Sequence, residues 1–328
     1  MHSIRYAPWS RLYASRMPEP LVSVLTPVYN AERYIEEVME SVRDQSYGNI
    51  EHVIVDDGST DGSAACIERF MTANPLAPIR FLRQENAGEA TAVNHAFSAA
   101  EGEYVVVVNA DDPPMVELVR AAVRMLGANE ALVVAYPDWL MIDAMGREER
   151  VVTTLEYSQQ ALVGDYVCLP GPGAVIRRAA VSNGVLRDTR YRFVSDYELW
   201  LRLSLQGPMT RCPGVLATWR NHSGGATAGG RGQALAGEVI KVIDDFFARD
   251  DLPHHVRAWE RQAKAMALYH AAIQKLYEGS VPGRRLMARS ILTLFRRRKS
   301  YPTVRRSPLV VLAVLGYPLS TGARNFFK

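Results

Sequence analysis

A chain of 328 residues that is 48% hydrophobic and 22% charged is long enough for one large globular domain with an appendage, and the balance excludes a disordered or collagen-like polymer. Its three cysteines, Cys66, Cys168 and Cys212, are far apart and form no CxxC pair, so neither a disulfide framework nor a zinc cluster is indicated and a reducing compartment fits best. The net charge of +3 is laid out unevenly: residues 1–278 hold 27 basic against all 35 acidic residues, a charge of −8, whereas the last 50 residues carry +11.

Residues 1–20 lack the continuous apolar stretch of a secretory signal and are read as an N-terminal extension. No later run reaches the roughly 20 apolar residues of a spanning helix, so the expectation is a cytoplasmic protein, with peripheral attachment to the inner face of the membrane left open. Residues 21–28 form an apolar, β-branched run, and Ile35, Val38, Met39 and Val42 then follow the spacing of an amphipathic helix. A second strand over 52–55 ends in Asp56-Asp57-Gly58-Ser59-Thr60-Asp61-Gly62, which supplies turn chemistry before a helix over 64–71. A third strand over 79–82 leads to a helix over 89–100, and a fourth, over 104–108, carries Asn109-Ala110-Asp111-Asp112 at its end. Strands alternating with helices predict an α/β fold, a mostly parallel sheet covered on both faces, with ligands bound beyond the carboxyl ends of its strands.

From residue 132 the pattern loosens. Residues 133–136 and 139–142 read as two strands joined by a turn, and 143–147 as a hairpin tip. The cluster Pro170-Gly171-Pro172-Gly173 either brings backbone close to something or merely turns it. Helical periodicity returns over 197–205 and, after the glycine-rich stretch 224–232, over 234–249, 256–277 and 284–298. The expected division is a main domain over 21–232, in two halves, 21–115 and 116–232, followed by a helical region over 233–328 whose basic tail is 279–328.

Four stretches offer chemistry. Asp111 and Asp112 at a strand end supply hard oxygen ligands for magnesium or manganese, which in turn neutralise a diphosphate; the plainer alternative is that they end a strand before Pro113-Pro114. Asp56 and Asp57 sit at a neighbouring strand end, where a carboxylate can accept the imide N–H of a base or reach ribose hydroxyls. Asp196, at the acidic entry to an apolar helix, is either a helix cap or a general base for an acceptor hydroxyl. In Trp219-Arg220-Asn221-His222, Arg220 offers a phosphate ligand and His222 a metal ligand.

Together these stretches resemble the family 2 glycosyltransferases from about residue 21 to 222, in the family's order. Val22 to Asn30 looks like the opening strand and nucleotide-binding turn, which implies donor contacts at Pro27, Tyr29 and Asn30. The second-strand motif implies that Asp57 contacts the base and Asp56 supports it. The stretch from Gln84 to Asn94 is similar to the donor-side loop and helix, with Asn86, Gly88 and Asn94 as donor residues and Val93 where an arginine often stands. Asn109-Ala110-Asp111-Asp112 matches the DxD-type site, with Asp111 in the metal-binding place and asparagine at its first acidic position. The segment 171–178 resembles the acceptor-pocket lining, so Gly171 and Gly173, with Asp112 and Trp200, are expected on the acceptor side. Ser195-Asp196 takes the place of the family's Glu-Asp pair, implying Asp196 as the base without its usual glutamate neighbour, and Trp219 to His222 looks like its YRxH segment.

The resemblance implies a GT-A fold and an inverting, single-displacement transfer from a UDP-, dTDP- or GDP-linked sugar to a glycan or lipid-linked glycan, such as a cell-surface polysaccharide precursor. A divalent cation is the implied cofactor, held by Asp111 and His222. The alternatives are a nucleotidyltransferase and a catalytically degenerate nucleotide-sugar binding scaffold. In the tail, Leu286, Ile291, Leu292, Leu294 and Phe295 are interspersed with arginines, a composition that suits an anionic membrane surface and equally a helical cap on the catalytic domain. No RNA-binding motif accompanies these charges, and nucleic acid is not an expected partner.

Overall fold

Strand β1 (Val22–Val28) is buried along its whole length, as an apolar run in a sheet covered on both faces must be. The computed structural model, which describes residues 19–167, 170–224 and 232–277, sets β1 between β2 (Ile50–Asp57) and β4 (Tyr104–Val107), with β3 (Ile79–Gln84) beyond β2. All three pairings are parallel. The crossovers are α1 (Ile35–Arg43), α2 (Ser63–Ala73) and α3 (Glu89–Ala99). Helix α1 buries Ile35, Val38, Met39 and Val42, the four residues whose spacing predicts it.

The second half is joined to the same sheet. After α4 (Leu118–Ala128), the long β5 (Val134–Asp143) turns into β6 (Glu148–Val152), and α5 (Gln159–Gly164) follows with Ser158 Oγ accepting the Ala161 N–H at its start. The short β7 (Val175–Arg177) then inserts antiparallel between β4 and β5, and β8 (Met209–Asn221) runs parallel to β5 on its other side. The predicted pair of strands over 133–142 is thus one strand. Its Pro137 is accommodated where the β5–β8 register shifts, so the missing N–H interrupts no regular ladder. The hairpin tip lies where predicted, with Gly146 at φ +79° and its N–H donating to the Asp143 carbonyl.

Helices α6 (Ser195–Leu203), α7 (Gly232–Phe247), α8 (His254–Arg257) and α9 (Glu260–Tyr277) complete the described chain, the last two replacing the single helix predicted over 256–277. One face of the sheet packs a core shared by Val93 and Phe97 of α3, Leu199 of α6, Val242 of α7 and Ala263 of α9. The opposite face is covered by α1 and α4 through Val38, Val42, Leu118 and Ala122, and by α1 and α2 through Ile35, Met39 and Ile67. The result is the α/β fold expected, a central sheet with helices on both faces. No described helix is long and apolar enough to cross a membrane. Cys168, most of the glycine-rich stretch and the basic tail over 279–328 lie outside the described residues.

Candidate active site

Three parallel strands release their chains at the same end of the sheet. Asp56, the last β2 residue in register with β1, is fully buried; it accepts the Ser59 N–H at 3.1 Å and pairs with Arg83 at 3.1 Å. Asp57 turns both oxygens into the next loop, taking the Gln84 amide at 2.7 Å and the backbone N–H groups of Ala87 and Gly88 at 2.8 Å each. Asn86 returns a bond to the Asp57 carbonyl. Asp57 therefore clamps the loop that starts α3, a task the sequence alone does not reveal. Gly58 explains why that loop comes so near: at φ +70°, a Cβ there would lie 2.8 Å from the Asn86 nitrogen.

On the β1 side, Pro27 is buried, whereas Tyr29 and Asn30 are exposed at the strand's exit. Asn30 adopts φ +50° and bridges to the β2 loop, its N–H donating to Ser59 Oγ and its side-chain oxygen accepting from the Thr60 N–H. These bonds hold the β1 and β2 exits together as one rim.

Beyond β4, Asn109 to Asp112 form a tight turn that β8 secures. The Thr218 hydroxyl donates to the Pro113 carbonyl, and the Met115 N–H to the Leu216 carbonyl. This brings His222 Nε2 to 2.8 Å from Asp111 Oδ2, with Tyr34 packed edge-on against the imidazole. Asp112 faces the other way, buried between the Asn109 amide at 3.0 Å and the Arg220 N–H at 2.7 Å. Burial, reinforced by the neighbouring Asp111 charge, pushes its carboxyl up to about 7. Arg220 is buried too: its guanidinium donates to the Asp111 and Asp143 carbonyls, pairs with Glu37 at 2.7 Å and stacks on Tyr34.

Asp196 is exposed on the first turn of α6, where it accepts the adjacent Tyr197 N–H; the N-cap is Val194, so capping is not its task. What joins this carboxylate to the others is Glu89, the first residue of α3 and next to the Gly88 that Asp57 holds. Glu89 is an exposed residue, yet desolvation of its carboxyl by the neighbouring chain raises it. The Arg187 guanidinium opposes the rise, and Asp196 and Asp111 add to it. One side chain is thus within electrostatic reach of all three, which brings the predicted metal side and the predicted base side near the start of α3.

Residues 23–182 match the Glycosyl transferase family 2 model. The chain carries a family 2 glycosyltransferase domain. Glycosyltransferase GlyG of Streptococcus pneumoniae is 44% identical over 93 residues, which is 28% of this chain and 30% of GlyG. An uncharacterized glycosyltransferase of Haemophilus influenzae is 33% identical over 138 residues, 42% of this chain and 54% of that protein. The aligned stretches thus span only 30% and 54% of these curated relatives. Among solved structures, S. aureus TarS 1-349 in complex with UDP-GlcNAc superposes with a TM-score of 0.60 at 19% identity, covering 76% of this chain and 72% of that one. The mannosyltransferase PcManGT from Pyrobaculum calidifontis, in complex with GDP-Man and Mn2+, gives 0.58 at 18% identity, covering 91% and 86%. At such identities these two neighbours speak for the GT-A fold.

Within the glycosyltransferase domain, several residues stand elsewhere than expected. Trp200 was expected on the acceptor side, but it is packed into the main core at 4% exposure. Asp112 is an internal latch between the β4 turn and β8, not an acceptor contact, because both its oxygens are turned inward. Gly171 and Gly173 do mark a close approach, but to the domain itself: a Cβ would meet the Trp139 ring at 2.7 Å and Ala217 at 2.8 Å. Arg220, expected on a phosphate, has its guanidinium committed to Asp111, Asp143 and Glu37 and so braces the turn after β4. The amide of Asn94 is spent on the backbone of Arg187, donating to its carbonyl at 2.7 Å and accepting its N–H at 2.8 Å. Ala110 is buried among Val28 and Ile54. The sequence reading passed over Glu89, Arg187 and Tyr34. Glu89 reads as an ordinary first-turn acid, and Arg187 lies in a stretch without periodicity.

Proposed function

We infer that the protein transfers a sugar from a nucleoside diphosphate donor to an acceptor hydroxyl in a single displacement that inverts the anomeric centre. The observation that supports this reading is the Asp111–His222 pair in a family 2 domain, with Asp111 and Asp196 both within electrostatic reach of Glu89. Tyr29 and Asn30 border the crevice where a base and ribose can lie, on the rim made by the β1 and β2 exits. Asp196, exposed and without a cationic partner among its hydrogen bonds, is the group that takes the acceptor proton.

The donor set of Asp111 and His222 suits a divalent cation, and its imidazole nitrogen favours manganese over magnesium. Among the described residues no group of three or more His, Cys, Asp or Glu side chains is arranged around a cation, so two protein ligands would leave room for phosphate oxygens and water. A cation bound there would supply positive charge to the departing diphosphate. Arg220 and Tyr34 keep the carboxylate and the imidazole in place, one through the Asp111 carbonyl and the other against the His222 ring. The acceptor proposed is a glycan or lipid-linked glycan, a reading supported by the basic, aliphatic composition of the tail.

The test is a screen of UDP-GlcNAc, UDP-glucose, dTDP-glucose and GDP-mannose with Mn2+, reading the released nucleotide. Nucleoside diphosphate release supports the reading, pyrophosphate release from a matching nucleoside triphosphate and sugar 1-phosphate in a parallel assay would replace it with nucleotidyl transfer, and binding without any release would leave a scaffold. Asp111→Ala should weaken metal-dependent donor binding by at least about tenfold. Equal nucleotide affinity with and without Mn2+ in the unmodified protein would refute the metal role.

A further inference from the structure

Helix α6 opens without a cap of its own. Its N-cap residue is Val194, whose side chain has no oxygen to offer, and residues 181–194 ahead of it belong to no helix or strand. The missing partner comes from α7. The half-buried Glu238 accepts three successive backbone N–H groups, that of Arg192 at 2.9 Å through Oε1 and those of Phe193 at 2.7 Å and Val194 at 3.3 Å through Oε2. About two turns along the same face of α7, Asp245 accepts the Tyr191 hydroxyl at 2.6 Å and the Arg190 guanidinium at 3.1 Å. Both helices sit in the main core, through Val239, Val242 and Phe246 of α7 and Leu199 and Leu203 of α6. Apolar packing is non-directional, so these directed bonds are what orient the turn that enters α6.

We propose that Glu238 is a positioning residue for proton removal from the acceptor, holding the turn from which Asp196 projects. The inference rests on the reading of Asp196 as the general base. Asp196 follows the clamped Val194 by two positions, and its Oδ1 accepts the adjacent Tyr197 N–H at 2.7 Å. Its carboxylate is exposed, so the backbone beneath it has to supply the precision that packing does not. A displacement of about 1 Å at a reacting group can cost on the order of a hundredfold in rate. A carboxylate suits the holding task, because it makes shorter and stronger bonds to backbone N–H groups than a neutral acceptor does, and negative charge ahead of a helix N-terminus is favoured by the helix dipole. Glu238 touches the backbone alone, so it acts through the place of Asp196 and takes no proton itself. In the sequence it reads as one more acid on the polar face of a helix.

The experiment is a double-mutant cycle in the full chain. It reads single-turnover release of nucleoside diphosphate from the most active of UDP-GlcNAc, UDP-glucose, dTDP-glucose and GDP-mannose, with Mn2+ and with water as the acceptor whose proton must be removed. Glu238→Ala should slow release by about tenfold or more while donor affinity, measured by calorimetry, moves less than about twofold. In the Asp196→Asn background the same substitution should change the rate by less than about twofold, because residues that act as a unit are not additive. Glu238→Gln keeps one carbonyl oxygen for the N–H groups and should fall between parent and Glu238→Ala; it carries the cycle if the alanine variant does not fold. An equal loss in both backgrounds, or a parallel loss of donor affinity, would make Glu238 a support of the domain as a whole and overturn the proposal. So would an undiminished rate in Glu238→Ala when Asp196→Asn alone is slow. An undiminished rate in Asp196→Asn, or no release by the parent from any of the four donors, would instead remove the reading of Asp196 on which the proposal rests.

Discussion

A general base must reach a hydroxyl that comes from solvent, and Asp196, proposed for that role, stands exposed on the first turn of α6. Asp196→Asn keeps the shape and the bond to the Tyr197 N–H but cannot take a proton. Turnover should fall by roughly two to four orders of magnitude with donor affinity retained, and single-turnover kinetics beside calorimetry check both. Undiminished turnover would exclude Asp196. At this scale the sequence revealed acids and a histidine whose types announce their chemistry: Asp111 and His222 lie 2.8 Å apart and Asp196 is exposed. It did not reveal which polar atoms are spent inside the protein. Arg220 and Asp112 look available in a string of letters, but each has been drawn inward by partners more than a hundred residues away. Trp200 has the α6 spacing of a core residue as much as of a pocket residue, and burial took it.

Elements were legible where hydrophobic period and turn chemistry agree. Strands β1 to β4 and helices α1 to α3 follow the predicted order, because each strand is an apolar run closed by a polar turn. Strand β8 was not legible, since its burial alternates irregularly and Pro213 and Gly214 interrupt it. Yet β8 delivers Arg220 and His222 to the crevice, so the least readable strand carries a large share of the site. Strand β2 carries a different liability. His52 is buried with its Nε2 2.9 Å from the Thr26 hydroxyl, and burial holds its imidazole down at about 3. An unfolded histidine takes a proton near pH 6.5, so the folded state binds fewer protons between about pH 6.5 and 3, and stability drops as pH falls through that window. His52→Gln should flatten the acid limb by up to about 1.4 kcal/mol per pH unit, as measured by urea midpoints across the window. A limb as steep as the parent's would assign the acid sensitivity to other groups.

Across the whole chain, charge is segregated: −8 over residues 1–278 and +11 after them, with no acid in the tail to pair internally. Each basic residue near an anionic leaflet contributes roughly 1 kcal/mol, so even half of the tail's charges would hold an enzyme at such a surface. Truncation after Glu278 should abolish flotation with liposomes containing anionic lipid while leaving soluble-donor hydrolysis intact. Flotation that persists without the tail would reject the membrane proposal. The fold sets a further condition on how the crevice works. Because the three-residue β7 is hydrogen-bonded to β4 on one side and β5 on the other, strands β1 to β4 and the β8 strand that leads to His222 belong to one continuous plate. Severing the chain between residues 115 and 116 would not yield two self-sufficient lobes. It would leave β4 with a raw edge open to aggregation, and the β1 to β4 half would lose the strand that leads to His222.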